Sequence, residues 1–315
     1  MAEIGKILVV IEANESADSA ERLVTKAGQL ACRVGAVLEL FVCCFNRALA
    51  ATYLFDPEAR QHAEQGFLHG QEKRIESLIS DCLPEGVEAT GDVHWERDLE
   101  HGILQKIARY APDMVVKSCR YHPLLERALF GHLEGQLIRH CPVPLLLVKN
   151  RDWGRSPQVM AAVDPLHDHD KPESLDRAIV EQARTFTAAI GGHLHLIHAF
   201  QPLPASVVFD DTLVLDYEGF KEKLRVQHEE AMARLVADSG LEAQTPVHVV
   251  QGETASVLPD CVNQQNGDLV VMGSVDRSGL DRLFMGSTAE DTLNRLECDL
   301  LVVKPPGFQG PEAAP

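Results

Sequence analysis

Ten short apolar runs punctuate the chain, and amphipathic stretches separate most of them. In the first half the runs are Ile7–Ile11, Val37–Cys44, Val87–Trp95, Met114–Lys117 and Leu145–Val148. In the second half they are Val159–Val163, Leu194–Phe200, Val247–Val250, Leu269–Met272 and Leu300–Val303. After the first run Ala20, Leu23, Val24, Ala27, Leu30, Ala31 and Val34 recur at the spacing of one helix face. Leu68, Ile75, Leu78, Ile79 and Cys82 make a second face, weakened by Gly66 and Gly70, each costing about 1 kcal/mol against Ala in a helix. Its counterpart in the second half carries Phe220, Leu224, Ala231 and Leu235 on one side. Thr254–Gln264 also reads as helix, with Pro259 as a local misfit that removes an interior hydrogen bond.

The two halves repeat each other. KILVVIEAN (Lys6–Asn14) matches QVMAAVDPL (Gln158–Leu166) at an offset of 152 residues. DMVVKSC, LERALFG and VPLLLVK, beginning at Asp113, Leu125 and Val143, match DLVVMGS, LDRLFMG and CDLLVVK at an offset of 155. A period this long is a duplicated domain rather than a solenoid repeat. The expected domains are residues 1–150 and 151–305, with a disordered Pro- and Gly-rich tail over 306–315. Strands alternating with helices predict a parallel sheet with helices on both faces. Runs such as LLLV and LLVV suit strands buried on both sides. Each copy is therefore read as a flavodoxin-like domain, five parallel strands in the order 3-2-1-4-5. Ligands of such sheets bind beyond the carboxyl ends of the strands, where strand order reverses, here between the first and fourth strands.

Composition narrows the function classes. The chain has 315 residues, 45% hydrophobic and 24% charged, which excludes wholesale disorder. Its 47 acidic and 29 basic residues give a net charge of -18, a poor match for nucleic acid or an anionic membrane surface. The second copy is the more acidic, with 25 acidic and 12 basic residues against 22 and 17 in the first 153 residues. No run of 18 apolar residues exists, and the apolar run near Met1 is too short for a signal peptide. The eight cysteines form no C-x-x-C pair and read as buried reduced thiols of a cytoplasmic protein.

Candidate chemistry concentrates after the fourth strand of the second copy, in GSVDRSGLDRLFMGSTAED (Gly273–Asp291). Gly273 lets a backbone approach closely, and Gly279 allows the loop to turn. Gly286, Ser287 and Thr288 open the next helix with bare N–H groups and hydroxyls, a seat for phosphate. The pattern resembles the universal stress protein family, whose nucleotide-binding members carry G-x2-G-x9-G-[S/T]. Gly273, the nine residues Arg277–Met285 and Gly286-Ser287 fall at that spacing, with Asp276 in place of the second glycine. The resemblance covers both copies. It implies an adenine nucleotide alpha hydrolase-like fold, a cytoplasmic stress-response role and an intramolecular pseudo-dimer in which the last strands of the two copies meet. It also implies a strand-end acid at Asp164, and Ala199 and Met272 beside a bound adenine nucleotide, ATP with Mg among the candidates.

Asp276 would stand near the phosphates, and two like charges 4 Å apart repel by about 4 kcal/mol at an effective dielectric of about 20. Weak or absent ATP binding follows. The first copy departs further, with Ser118, Tyr121 and Leu124 at the three loop positions, Gly131 followed by His132 and Leu133, and Glu12 as the strand-end acid. That copy reads as structural, or as binding something other than a nucleotide.

Two other features compete. The connections after the second strands, Arg47–Asp56 and Pro204–Tyr217, are apolar enough to form a lid, an interface or a pocket for an acyl or aromatic ligand, with Val207, Val208, Phe209, Leu213, Val214 and Leu215 as its lining. The groups His167-Asp168-His169-Asp170 and His193-x-His195-x-x-His198 read as surface histidines rather than a metal set. No catalytic triad or nucleophile elbow is present, so slow ATP hydrolysis ranks behind binding.

Overall fold

The computed structural model describes residues 4–52, 56–119, 132–149, 151–166, 173–202, 217–274 and 294–310. Two compact units divide at Asn150/Arg151, and Gln309 onward groups with the first unit. In the first, β1 (Lys6–Val10), β2 (Val37–Cys44), β3 (Ala89–Trp95), β4 (Met114–Ser118) and β5 (Leu145–Val148) form a parallel sheet in the order β3-β2-β1-β4-β5. The second repeats the order as β8-β7-β6-β9-β10, from β6 (Gln158–Ala162), β7 (His193–Phe200), β8 (Val247–Gln251), β9 (Leu269–Gly273) and β10 (Asp299–Val303). Both are the α/β architecture that the alternating pattern predicts.

Register fixes where the crevices lie. Val10 pairs with Phe41 on one side and with Lys117 on the other. In the second unit Ala162 pairs with Ile197 and with Met272. The residues just beyond these partners, on strands whose chains leave in opposite directions, border each crevice.

Helix α1 (Ala17–Val34) buries Ala20, Leu23, Val24, Ala27, Leu30 and Ala31, the predicted stripe. Ser16 caps it by accepting from the Ser19 N–H at 3.4 Å, and Gly35 ends it at φ 72°. The connection after β2 contains a short helix, α2 (Arg47–Thr52), followed by α3 (Pro57–Cys82). Gly66 and Gly70 of α3 meet nothing within 4 Å, so the two glycines weaken a segment that makes few packing demands. Only Ile75 and Leu78 of α3 are buried. The first unit is completed by α4 (Leu99–Tyr110), capped by Asp98, and α5 (His132–His140).

In the second unit α6 (Glu173–Ile190) and α7 (Tyr217–Asp238) precede α8 (Thr254–Gln264). The predicted stripe of α7 needs correction. Phe220 is 36% exposed, and the buried face is His228, Ala231 and Met232. Pro259 does lie inside α8, buried. The carbonyl that its missing N–H would have engaged, that of Ala255, accepts from Arg295 Nη1 at 3.2 Å instead. Beyond β10 the Lys304 ammonium lies 4.4 Å from the Phe308 ring centre.

The described cysteines are all free thiols, and six are buried. Burial pushes the Cys43 thiol up to about 12, with Cys44, Glu96 and Asp98 adding to the effect. Burial also raises Cys44, to about 11. Neither is a reactive thiolate at neutral pH.

On β7 and β8 the rings of His195 and His248 stack, 5.3 Å apart and 8° from parallel. His195 Nε2 donates to Gln158 Oε1 at 2.9 Å, which leaves Nδ1 to accept from His248 Nε2 at 3.0 Å. Burial lowers both histidines, and His248 and His193 lower His195 further. The unfolded chain therefore takes up these protons first as pH falls below about 6.5, so the stability they contribute is present above that pH and lost below it. Urea unfolding of His195→Gln/His248→Gln should lose less stability than the parent between about pH 7 and pH 5. An unchanged slope would contradict the assignment.

Candidate functional site

In the second unit the strand-end acid is buried: Asp164 is 7% exposed. Its N–H donates to Asp176 Oδ1 at 3.1 Å, so α6 fixes the chain leaving β6. From the other side the Val163 carbonyl accepts from His198 Nδ1 at 3.0 Å. Because that carbonyl can only accept, His198 Nδ1 carries the hydrogen, and its Nε2 accepts from His228 Nδ1 at 2.7 Å. His228 stacks on Phe200 with ring centres 4.4 Å apart, and His198 Nδ1 lies 4.0 Å from Asp164 Oδ1. The reading of His198 as a surface group is corrected here: it is 2% exposed, as is its partner His228. Their unit is α7 clamped onto the end of β6.

Ala199 and Met272 are half-buried at the carboxyl ends of the strands flanking β6; by register Ala199 is level with Asp164 and Met272 with Ala162. Gly273 ends β9, and a Cβ there would stand 2.6 Å from Leu175 Cδ2. Among the described residues the space left by its missing side chain is taken by α6. Thus Asp164, Ala199, Met272 and Gly273 come together around one crevice. Asp276, Gly279, Gly286, Ser287 and Thr288 lie outside the described residues. So do the His167–Asp170 group, the Val207–Leu215 pocket lining, Tyr121, Leu124 and Gly131.

The equivalent crevice of the first unit is built differently. Lys117, fully buried on β4, extends its ammonium to Glu12 Oε1 at 2.6 Å, to the Ser118 carbonyl at 3.1 Å and to Glu134 Oε1 of α5. Burial alone would lower this lysine, but Glu134 and Glu12, by charge and by hydrogen bonds, raise it above the ordinary value. Lys117 therefore stays charged throughout the neutral range. Arg74 of α3 covers the next carbonyls, with Nη1 at 3.1 Å from Glu12 O and 3.2 Å from Ala13 O, and Nη2 at 2.8 Å from Glu15 O. Glu15 in turn accepts from the Ser19 hydroxyl at 2.6 Å and from the Glu12 N–H at 3.3 Å. A nucleotide phosphate here would meet two carboxylates already bound to the crevice's lysine.

Sequence reasoning placed Glu12 and Asp164 but missed Lys117, Glu134, Arg74 and the His198–His228 pair. One signal was available. Lys117 interrupts an otherwise apolar strand, and the aligned position in the second copy is Met272. At the 155-residue offset, Glu134 aligns with Ala289.

Comparison with known proteins agrees with this architecture. The model of the universal stress protein family matches residues 3–149 and 158–304. The chain belongs to the universal stress protein family. Universal stress protein E of Escherichia coli K12 is 28% identical over 312 residues, covering 99% of this chain and 97% of the relative. Universal stress protein E of Photorhabdus laumondii is 25% identical over 315 residues, covering 99% and 98%. Among solved structures, a protein of Pseudomonas aeruginosa PAO1 described as functionally unknown shares the fold with a TM-score of 0.68 at 24% identity, over 96% of this chain and 93% of that one. A universal stress protein of Archaeoglobus fulgidus does so with a TM-score of 0.60 at 17% identity, over 94% and 98%. Within this tandem member of the family, the two copies have come to hold their crevices by different means.

Lys117→Met removes the counter-charge of Glu134, which is 3% exposed. Loss of one partner of such a pair destabilises by about 3–5 kcal/mol. Lys117→Met/Glu134→Ala carries the second copy's residues at both positions and should recover about half of that loss or more in urea unfolding. A single variant as stable as the parent would refute the pairing.

Proposed function

We propose that this is a cytoplasmic stress-response protein that binds a small ligand through its second copy, at a degenerate site of the adenine-nucleotide type. The observation that carries the reading is the contrast between the two strand ends. The strand-end acid of the first copy, Glu12, is bound by Lys117 of β4, whereas the aligned position on β9 is the uncharged Met272. The fixed acid at Asp164 suits a ribose hydroxyl or a base N–H, and Ala199 and Met272 offer small and apolar contacts on either side of it. The family's glycine pattern, complete in this copy except at Asp276, supports a phosphate seat beyond β9. Mg would be held there chiefly by the nucleotide's own phosphates, with a carboxylate at 276 as an additional oxygen donor.

An apolar ligand is the alternative, and the described cavity does not favour it. A cleft of about 180 Å³ between α6 and α7 is bordered by Asp176, Arg177, Arg234 and Asp238, with Pro165 and Leu235 as its larger apolar neighbours. That lining carries four charged side chains, and the volume falls below the roughly 300 Å³ of a typical ligand pocket. Hydrolysis ranks third, with Asp164 and Asp276 as the candidate bases. No helix among the described residues is long and apolar enough to cross a membrane.

Isothermal titration with MgATP tests the reading. The expected dissociation constant is weaker than micromolar. Asp276→Gly should tighten it about tenfold or more by removing like-charge repulsion, and Asp164→Ala should weaken it. Micromolar binding by the parent, indifferent to both substitutions, would overturn it.

A further inference from the structure

Glu12, Lys117 and Glu134 form a charged unit to which ligand binding in the second copy gives no role. Three oxygens converge on the Lys117 ammonium from three separate elements: the chain after β1, the end of β4 and α5. The nitrogen carrying them belongs to a side chain with 0% exposure. Two carboxylates and a carbonyl are the kind of oxygen donors by which proteins bind hard cations. Here the cation is supplied by the chain itself.

The sequence repeat gives an independent argument. In the second copy Met272 and Ala289 occupy the positions aligned with Lys117 and Glu134. The cation and the second carboxylate are thus both present in one copy and both absent from the other. A lysine serving only to fill space would not need its partner to vary with it.

We propose that the first copy contains an oxygen-lined cation site permanently occupied by Lys117, so that its strand-end crevice is held closed by a built-in ligand. Vacating the lysine leaves a site for a divalent cation. This inference does not depend on nucleotide binding by the second copy, and it fails or survives separately from that reading.

Two measurements on the full chain test it. In a lysine-selective proton–nitrogen NMR spectrum at neutral pH, the Lys117 ammonium, assigned by its loss in Lys117→Met, should give a resolved, slowly exchanging signal that millimolar MgCl2 or MgATP leaves in place. An ammonium exchanging as fast as surface lysines, or released by either addition, would overturn the proposal. In thermal unfolding, Lys117→Met should regain at least half of its lost Tm in millimolar CaCl2 or MnCl2 relative to NaCl of equal ionic strength. The parent and Lys117→Met/Glu134→Ala should not respond. If Lys117→Met does not fold unaided, refolding with and without CaCl2 reads the same property. A variant indifferent to every divalent cation, or a parent that responds equally, would refute the cation site.

Discussion

The reversal of strand order beside β1 and β6 is the constraint from which the rest follows. Strand order reverses between β1 and β4, which opens a crevice at the carboxyl ends of the two strands. The polar groups at the strand ends must then be satisfied by side chains or by a ligand, because a buried unpaired group costs about 1–3 kcal/mol. The two copies share this requirement and meet it differently. The first directs Lys117 and Arg74 at the strand-end carboxylate and carbonyls. The second uses Asp176 to hold an N–H and His198 to hold a carbonyl, and places no described cation between the strands.

These solutions differ in electrostatic consequence. Lys117, Glu12 and Glu134 sum to one negative charge in a nearly dry site, a balance that depends on close contacts. In the second copy the hydrogen-bonded His198–His228 pair stands behind Asp164. It also lies in the more acidic half of the chain, so an anionic ligand must bring or recruit positive charge.

Much of the fold was legible in the sequence because it rests on local periodicity and on the repeat. The ten apolar runs became ten strands, and the stripe of α1 is the stripe that packs. What escaped depends on pairs distant in sequence. Lys117 meets Glu12 across 105 residues, and His198 meets His228 across 30. Arg295 repairs the carbonyl freed by Pro259 from 40 residues beyond Ala255. No window of periodicity spans such distances. Phe220 failed for a different reason: helical spacing alone overstated the buried face of α7. Of the candidate crevice, the strand-end residues were legible because strand order predicts where they fall. The partners that fix them were not.

The ion triad also constrains how the first copy can change. Replacing Lys117 alone strands Glu134 in the interior, and replacing Glu134 alone leaves a buried ammonium with Glu12 as its remaining carboxylate. Either step costs about 3–5 kcal/mol, a large share of the roughly 5–15 kcal/mol by which a domain is stable. Replacing both restores an apolar strand end, as the second copy shows with Met272 and Ala289. A path between the two kinds of crevice therefore passes through a destabilised intermediate unless both positions change together or a bound cation stands in for the lysine. The closed state of the first copy is thus held by a pairwise dependence, whereas at the second copy's aligned positions neither residue needs the other's charge.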